Sequence, residues 1–123
     1  MNWWMLAGGL SVLVCSVGHA LAGVGMFYRP IKSSVADPLQ AGVFTGMWHL
    51  ITINFALSAI ALIVCGVYGP AREIGWLVAA QFAGYSAVYL AISLRLGGVL
   101  RLFQWMPFVP TAILAAIGAE MAH

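Results

Sequence analysis

Four long apolar stretches form the main hydrophobic pattern of the chain. Each has roughly the 20 apolar residues that a helix needs to cross a membrane, and short segments rich in turn-forming residues separate them. The apolar stretches cover residues 3–27, 42–68, 75–96 and 102–121. The segments between them contain Arg29-Pro30, Asp37-Pro38, Gly69-Pro70 and Gly97-Gly98. The pattern therefore predicts four membrane-spanning helices joined by short turns.

The composition also indicates a membrane environment. Of the 123 residues, 63% are hydrophobic and 7% are charged, and the mean hydropathy is +1.01. Soluble domains have about a quarter charged residues, so a soluble globular fold, a disordered chain and a nucleic-acid-binding module are excluded. The alternating polarity of a membrane β-barrel is absent. We predict an all-α fold in which residues 1–123 form one integral membrane four-helix bundle with antiparallel, up-down-up-down topology.

The basic residues predict an orientation for this bundle. We call the membrane side of the first and third interhelical segments side B, and the opposite side, which has the second segment, side A. Side B has Arg29, Lys32, Arg95 and Arg101, whereas side A has Arg72. Because basic residues favour the cytoplasmic side, we expect side B to be cytoplasmic. The protein is then predicted to lie in a bacterial inner membrane with both termini in the periplasm.

Two histidines lie inside the predicted spans at nearly the same depth. His19 is eight residues before the end of the first span, and His49 is seven residues after the start of the second. In antiparallel helices both imidazoles lie about 10–12 Å beneath side B. Tyr89 reaches a similar depth on the third span. Ionisable side chains within a membrane are candidates for function, so this layer is the predicted site.

Further polar residues extend that layer into a predicted pocket near the cytoplasmic face. Thr52 shares a helix face with His49, and Tyr85 shares one with Tyr89. Arginines and a glutamine are expected nearer the membrane surface. The candidate ligand-binding residues are His19, His49, Thr52, Tyr85, Tyr89, Arg29, Arg95, Arg101 and Gln104. Interhelical hydrogen bonding explains the same residue types without any ligand, and this alternative stays open.

The residues of the pocket suit several ligands. Haem b would use His19 and His49 as axial ligands and arginines for its propionates. A quinone would accept hydrogen bonds from histidine or tyrosine in the same layer. An anionic lipid would bind the arginines, whereas a transition metal is less well supported because no carboxylate or cysteine lies at that depth. The sequence does not select among these ligands.

Two function classes follow, and we prefer the first. It is a small non-enzymatic membrane protein whose bundle binds a cofactor or lipid; the second is a redox protein with haem b or a quinone in that place. A small transporter or a membrane enzyme is a weaker alternative. Asp37, Glu73 and Glu120 lie in or beside the interhelical segments, so no carboxylate is placed to relay protons within the membrane. No hydrolase or metalloprotease motif is present either.

The third span also has a stripe of small residues. Alanines recur at every fourth position, which allows close approach of helix backbones. This stripe is about 200° around the helix from Tyr85 and Tyr89, so we expect it to face outward. The sequence predicts a homo-oligomer or a subunit of a larger membrane complex, with a contact through Ala79, Ala83, Ala87 and Ala91.

Several short motifs carry a family resemblance. Gly18-His19, Tyr28-Arg29-Pro30, Trp48-His49 and Gln104-Trp105 together resemble those of a type of small four-span bacterial integral membrane protein. The size and span number are also similar to those of DoxX-like proteins. The Gly-Lys ending of their first helix is missing here. The resemblance implies a membrane location and four helices, and it implies no activity.

Overall fold

The computed structural model describes residues 1–69 and 71–122 and is all-α, with no strand among these residues. This confirms the predicted all-α class. A short π-helical turn and a single 3₁₀ turn interrupt or precede the regular helices. The elements are α1 (Trp3–Gly23), the π-helical turn (Val24–Tyr28), α2 (Arg29–Ser34), α3 (Pro38–Tyr68), α4 (Arg72–Arg95), a 3₁₀ turn (Phe103–Trp105) and α5 (Phe108–Glu120).

Three helical stretches are long and apolar enough to cross a membrane: Trp3–Ser34, Pro38–Tyr68 and Arg72–Arg95. The last helix, α5, has 13 residues. At the α-helical rise of 1.5 Å per residue it is about 20 Å long, shorter than the hydrocarbon core of about 30 Å. A fourth span over residues 102–121 therefore stays a prediction.

The first helical stretch is longer than the sequence predicts. Arg29-Pro30 is expected to form a turn, yet the chain stays helical to Ser34. Proline lacks an N–H group and clashes with the preceding helical turn, and here the wider π-helical turn precedes it. The Arg29 N–H donates to the Val24 carbonyl across that turn. The predicted end of the first helix near Phe27 was wrong because the π-helical turn accommodates the proline.

Other helix ends follow local signals. Asp37 caps α3, because its side chain accepts a hydrogen bond from Leu39 N at 3.0 Å, and Pro38 occupies the first turn, where its missing N–H is harmless. This cap places the start of α3 four residues before the predicted start of that span. After α4, Gly97 has a φ of +94°, which favours glycine. The predicted turn at Gly69-Pro70 includes Pro70, which lies outside the described residues.

Packing is strongest around α1, which contacts both α3 and α5, and α5 in turn packs along α4. Contact between α3 and α4 is much sparser. The fully buried side chains of the core come from all four of these helices and include Met5, Val12, Leu62, Phe82 and Thr111. Of the pairs α1–α3, α1–α5, α4–α5 and α3–α4, the last therefore has the sparsest contact.

At side A, Asn2 joins three helices. Its backbone N–H donates to Gly66 O of α3 at 2.8 Å, and its side-chain Nδ2 donates to Gly118 O of α5 at 2.8 Å. Its Oδ1 accepts from the backbone N–H groups of Trp4 and Met5, which caps α1. One buried side chain thus fixes the start of α1 against the ends of α3 and α5.

Candidate functional site at side B

His19 lies in the interface between α1 and α3. Its imidazole stacks on the Trp48 indole, with ring centroids 4.0 Å apart and an interplanar angle of 20°, and its edge contacts Phe55 at a centroid distance of 5.7 Å. Its Nε2 is 3.3 Å from the Trp48 carbonyl oxygen. The ring is therefore held by protein groups on more than one side.

His49 has different surroundings from His19. It is exposed, and the Tyr28 ring lies 6.2 Å from its own ring. Adjacent residues of an α-helix differ by about 100° around the axis, so His49 points away from the face on which Trp48 meets His19. Haem ligation by both histidines would require His19 Nε2 to leave the Trp48 carbonyl. No group of three or more metal-ligating side chains is found among residues 1–69 and 71–122.

A polar and basic group of residues surrounds Tyr28, where the π-helical turn meets α2. The Tyr28 hydroxyl is 3.2 Å from Thr45 Oγ1 of α3, and Lys32 Nζ donates to the same hydroxyl at 3.2 Å. The Lys32 ammonium also lies 5.4 Å from the centre of the Tyr28 ring. We call Tyr28, Lys32, Thr45 and His49 the Tyr28 cluster. It combines one cation, two hydroxyl groups and one imidazole.

Aromatic rings of α3 pack against the Tyr28 side chain. The Tyr28 ring stacks with Phe44 at 5.8 Å and tilts against Trp48 at 5.3 Å. Trp48 in turn stacks on His19, so a continuous aromatic wall connects the surface cluster with the interior. Such rings fix the Tyr28 hydroxyl in place at low entropic cost.

Thr52 has a local role in this arrangement. Its Oγ1 donates to the Trp48 carbonyl at 3.1 Å, one turn back along α3. Threonine in helices commonly makes this bond. In this structure Thr52 therefore bonds its own helix, and it shares its acceptor with His19.

Tyr85 and Tyr89 belong to a separate region between α3, α4 and α5. Tyr85 Oη donates to Asn54 Oδ1 at 3.0 Å, while Tyr89 packs on Phe108 at a ring distance of 6.0 Å. Gln81 Nε2 donates both to Asn54 Oδ1 and to Ser58 Oγ, the latter at 3.3 Å. We call Asn54, Ser58, Gln81 and Tyr85 the Asn54 cluster. His49 and Tyr85, which were predicted to share one pocket, thus belong to two different clusters.

The remaining predicted residues lie at the surface or near it. Arg29, Arg95 and Arg101 are all exposed. Gln104 is partly buried, and its side-chain Oε1 is buried with no hydrogen-bond partner among the described residues. Arg29 directly precedes Pro30 in α2 and is the predicted arginine next in sequence to the Tyr28 cluster.

A cavity of about 350 Å³ lies between α4 and α5, and its lining is mainly apolar. Two of the predicted stripe alanines, Ala83 and Ala87, line it. Ala91 is also exposed, whereas Ala79 is only 5% exposed and belongs to the core. Ala79 therefore does not share the outward face expected from the sequence, because at its level α4 packs closely on the rest of the chain.

The sequence reasoning missed several residues of both clusters. Tyr28, Thr45 and Lys32 were not among the candidate ligand-binding residues, although Thr45 precedes His49 by one helical turn. Asn54 and Ser58 were also missed. Their spacing of four residues, matched by that of Gln81 and Tyr85 on the next span, was the available signal.

No protein-family model, curated protein or solved structure matches this chain. The Tyr28 cluster offers the clearest chemistry, because it combines a cation, hydroxyl groups and an exposed imidazole at one end of two long apolar helices.

Proposed function

We propose that this protein is a small, non-enzymatic integral membrane protein that binds an anionic lipid at the Tyr28 cluster. In this proposal four helices form an up-down bundle in a bacterial inner membrane, with side B cytoplasmic and both ends of the chain periplasmic. Three long apolar helices support the membrane location. The observation that carries the lipid assignment is the bond from Lys32 to the Tyr28 hydroxyl, beside Thr45.

The chemistry of an anionic headgroup suits this cluster. Lys32 and Arg29 are exposed cations at side B, and basic residues close to a membrane surface attract anionic lipids by about 1 kcal/mol each. The hydroxyl groups of Tyr28 and Thr45 can donate to phosphate oxygens. Exposed apolar residues of the neighbouring helix turns, such as Met26 and Val43, offer contacts for acyl chains.

A redox protein that binds a quinone in the same place is the second candidate. The Tyr28 hydroxyl and the exposed His49 imidazole are hydrogen-bonding groups with ring centres 6.2 Å apart, and a quinone carbonyl accepts such bonds. Haem b would need both His19 and His49 as axial ligands, whereas His19 Nε2 is within hydrogen-bond distance of the Trp48 carbonyl oxygen. The quinone therefore fits the observed contacts with less rearrangement than haem.

Native mass spectrometry tests the lipid proposal. The protein is reconstituted in vesicles of equal phosphatidylglycerol and phosphatidylcholine and released with its retained lipids. We expect phosphatidylglycerol to be retained preferentially, and Lys32→Gln to reduce that preference about fivefold, in line with the loss of one basic residue near a membrane surface. Arg72→Gln removes one cation from side A and is the matched control, which should retain the preference. Equal retention of both lipids, or equal losses in both variants, would overturn the proposal.

The same preparation tests the redox candidate. A quinone in the solvent extract that disappears in Tyr28→Phe or His49→Ala would favour the quinone. A Soret band in the optical spectrum that is lost in both His19→Ala and His49→Ala would establish haem. Either result would replace the lipid as the ligand of this region.

We further propose that the protein works as a homo-oligomer or as a subunit of a larger membrane complex. The exposed alanines Ala83, Ala87 and Ala91 support a candidate contact, because small side chains allow a second helix to approach closely. The cavity beside Ala83 and Ala87 is apolar, which suits a neighbouring helix or an acyl chain. Replacing Ala83 and Ala87 by leucine tests this contact through the size of the particle in nanodiscs.

A further inference from the structure

The Asn54 cluster lies in the middle of two apolar helices. Asn54 and Ser58 belong to the central turns of α3, and Gln81 and Tyr85 to those of α4. Asparagine and glutamine are among the polar residues that form hydrogen bonds between membrane helices. In hydrocarbon no water is present to satisfy polar groups, so each amide atom of this cluster needs a partner.

The hydrogen bonds within the cluster leave two amide atoms unused. Asn54 Oδ1 accepts from both Gln81 Nε2 and Tyr85 Oη, and Gln81 Nε2 donates again to Ser58 Oγ. The Asn54 amide nitrogen and the Gln81 amide oxygen make no hydrogen bond among the described residues. Exchanging the oxygen and nitrogen of both amides leaves the same result, one donor group and one acceptor without a partner.

These two atoms are accessible from outside the chain. The buried side-chain atom without a partner among the described residues is Gln104 Oε1, not an atom of Asn54 or Gln81. Both residues are only partly buried, and α3 and α4 contact each other sparsely. The unused donor and acceptor therefore belong to partly exposed side chains, at a place where α3 and α4 contact each other sparsely.

The surroundings of the two amides are apolar and exposed. On α3 the neighbours one turn away are Leu50 and Leu57, which are 65% and 62% exposed. On α4 Leu77 is 68% exposed, and a Cβ added at Gly84 would meet no atom within 4 Å. An exposed apolar surface with a glycine and a central pair of polar groups is suited to another transmembrane helix.

We propose that this face binds a second copy of the same chain. The unused donor and the unused acceptor belong to two residues that bond each other, so the face can complement itself about a two-fold axis along the membrane normal. The Asn54 amide nitrogen of each copy donates to the Gln81 amide oxygen of the other, which satisfies all four unused groups. Such reciprocal contacts are the usual geometry of a two-fold dimer.

This inference rests on the proposed membrane-spanning arrangement and makes the proposed homo-oligomer specific. It does not depend on lipid binding at the Tyr28 cluster, which lies nearer side B. The face is also distinct from the stripe of Ala83, Ala87 and Ala91. The experiments below therefore separate the failure of this dimer from the failure of either earlier proposal.

Association of labelled chains in lipid vesicles tests the proposal. Donor- and acceptor-labelled protein is reconstituted at decreasing protein-to-lipid ratios, and energy transfer reports the dissociation constant. We expect Gln81→Leu to weaken association about tenfold or more, because two reciprocal hydrogen bonds are lost. Gln40→Leu, which removes an exposed amide at the start of α3, is the matched control and should associate as the unmodified chain does. The Ala83→Leu, Ala87→Leu double variant tests the alanine stripe in the same assay.

Cross-linking provides a second measurement that leaves the Asn54 cluster intact. In a background with Cys15→Ala and Cys65→Ala, chains with Leu57→Cys are mixed with differently tagged chains with Leu77→Cys. Both positions are exposed and one turn from the two amides, on the side of the cluster toward side A. We expect a disulfide between the two kinds of chain. A disulfide in a mixture of Ala87→Cys and Ile113→Cys chains, from the cavity between α4 and α5, would instead assign the contact to the alanine stripe.

Several results would overturn the dimer. Unchanged association in Gln81→Leu together with no disulfide between the Leu57→Cys and Leu77→Cys chains would exclude this face. Loss of association in the alanine double variant alone would assign the contact to the alanine stripe. Monomeric protein at every protein-to-lipid ratio would show that a lipid or a different protein satisfies the two amides.

Discussion

The two halves of the molecule differ in how closely their helices approach. Near side A the helix backbones approach closely at glycines. A Cβ added at Gly66 would lie 2.9 Å from Leu6 N, and one added at Gly118 would lie 2.6 Å from Met5 Cγ. Near side B, a Cβ added at Gly18, Gly42 or Gly46 would meet no atom within 4 Å. Gly66 and Gly118 therefore serve packing at side A, whereas Gly18, Gly42 and Gly46 leave space toward side B; Gly23, against Trp48, is the closely packed exception there.

The polar residues of the two halves differ in the same sense. At side A, Asn2 is 7% exposed and its side chain bonds three backbone groups. At side B, His49 and Lys32 are exposed, and Tyr28 is only partly buried. The comparison indicates that side A stabilises the fold while side B keeps polar groups accessible to a ligand. Variants of the two halves test this division of roles.

The largest loss of folding stability is expected where a methyl group is added at side A. Gly118→Ala would place its Cβ 2.9 Å from Met5 N as well as close to Met5 Cγ, and the backbone must then move. Overpacking of this kind costs about 1–3 kcal/mol. The matched control is Gly46→Ala, which enters open space and should raise helix stability by up to about 1 kcal/mol. Unfolding of both variants in mixed micelles measures the difference, and equal stabilities would contradict the division.

A smaller effect is expected when Asn2 is replaced. Asn2→Ala removes the cap of α1 and the bond to Gly118 O, so we expect a loss of about 1–2 kcal/mol. Asn2→Ser keeps a capping oxygen but is too short to reach the Gly118 carbonyl in the same way. The serine variant should therefore recover part of the loss in the same unfolding measurement. If alanine and serine were equally destabilising, capping of α1 would not contribute.

The smallest effect is expected at the ion pair that joins α4 to the end of α5. Arg72 and Glu120 are 3.0 Å apart, and their side chains are 58% and 57% exposed. Exposed pairs contribute at most about 1 kcal/mol. A double-mutant cycle with Arg72→Ala and Glu120→Ala should give a coupling below that value, which falls further at high salt. A coupling of several kcal/mol would mean that the pair is not solvated as its exposure indicates.

Much of the fold follows from local sequence signals. The apolar stretches predict helices in the right places, and the end of α3 at Tyr68 coincides with the predicted end of that stretch. Pro30 misled the prediction because proline usually marks a turn, whereas a preceding π-helical turn lets the helix continue. The late start of α5 at Phe108 was also unexpected, since Phe103–Trp105, within the predicted fourth span, forms a 3₁₀ turn.

The candidate site was harder to predict than the fold. The depth of a residue in the membrane can be counted along each predicted helix from the sequence, and this count placed His19 and His49 at nearly the same depth. The rotation of each helix about its axis is set by tertiary packing, and this rotation places His19 on Trp48 while His49 faces outward. Bonds such as that from Tyr85 to Asn54 depend on both rotations. They could not be derived from single-helix spacing.

The π-helical turn at Val24–Tyr28 also sets how the following residues are rotated about the helix axis. A π-helical turn contains one residue more than a regular α-helical turn, which corresponds to a rotation of about 100°. Without this extra residue, Tyr28 and Lys32 would be rotated away from Thr45, although the amino-acid composition of the helix would hardly change. The Tyr28 cluster thus depends on one extra residue in the first helix. Deleting one residue from the π-helical turn would be enough to separate Tyr28 and Lys32 from Thr45.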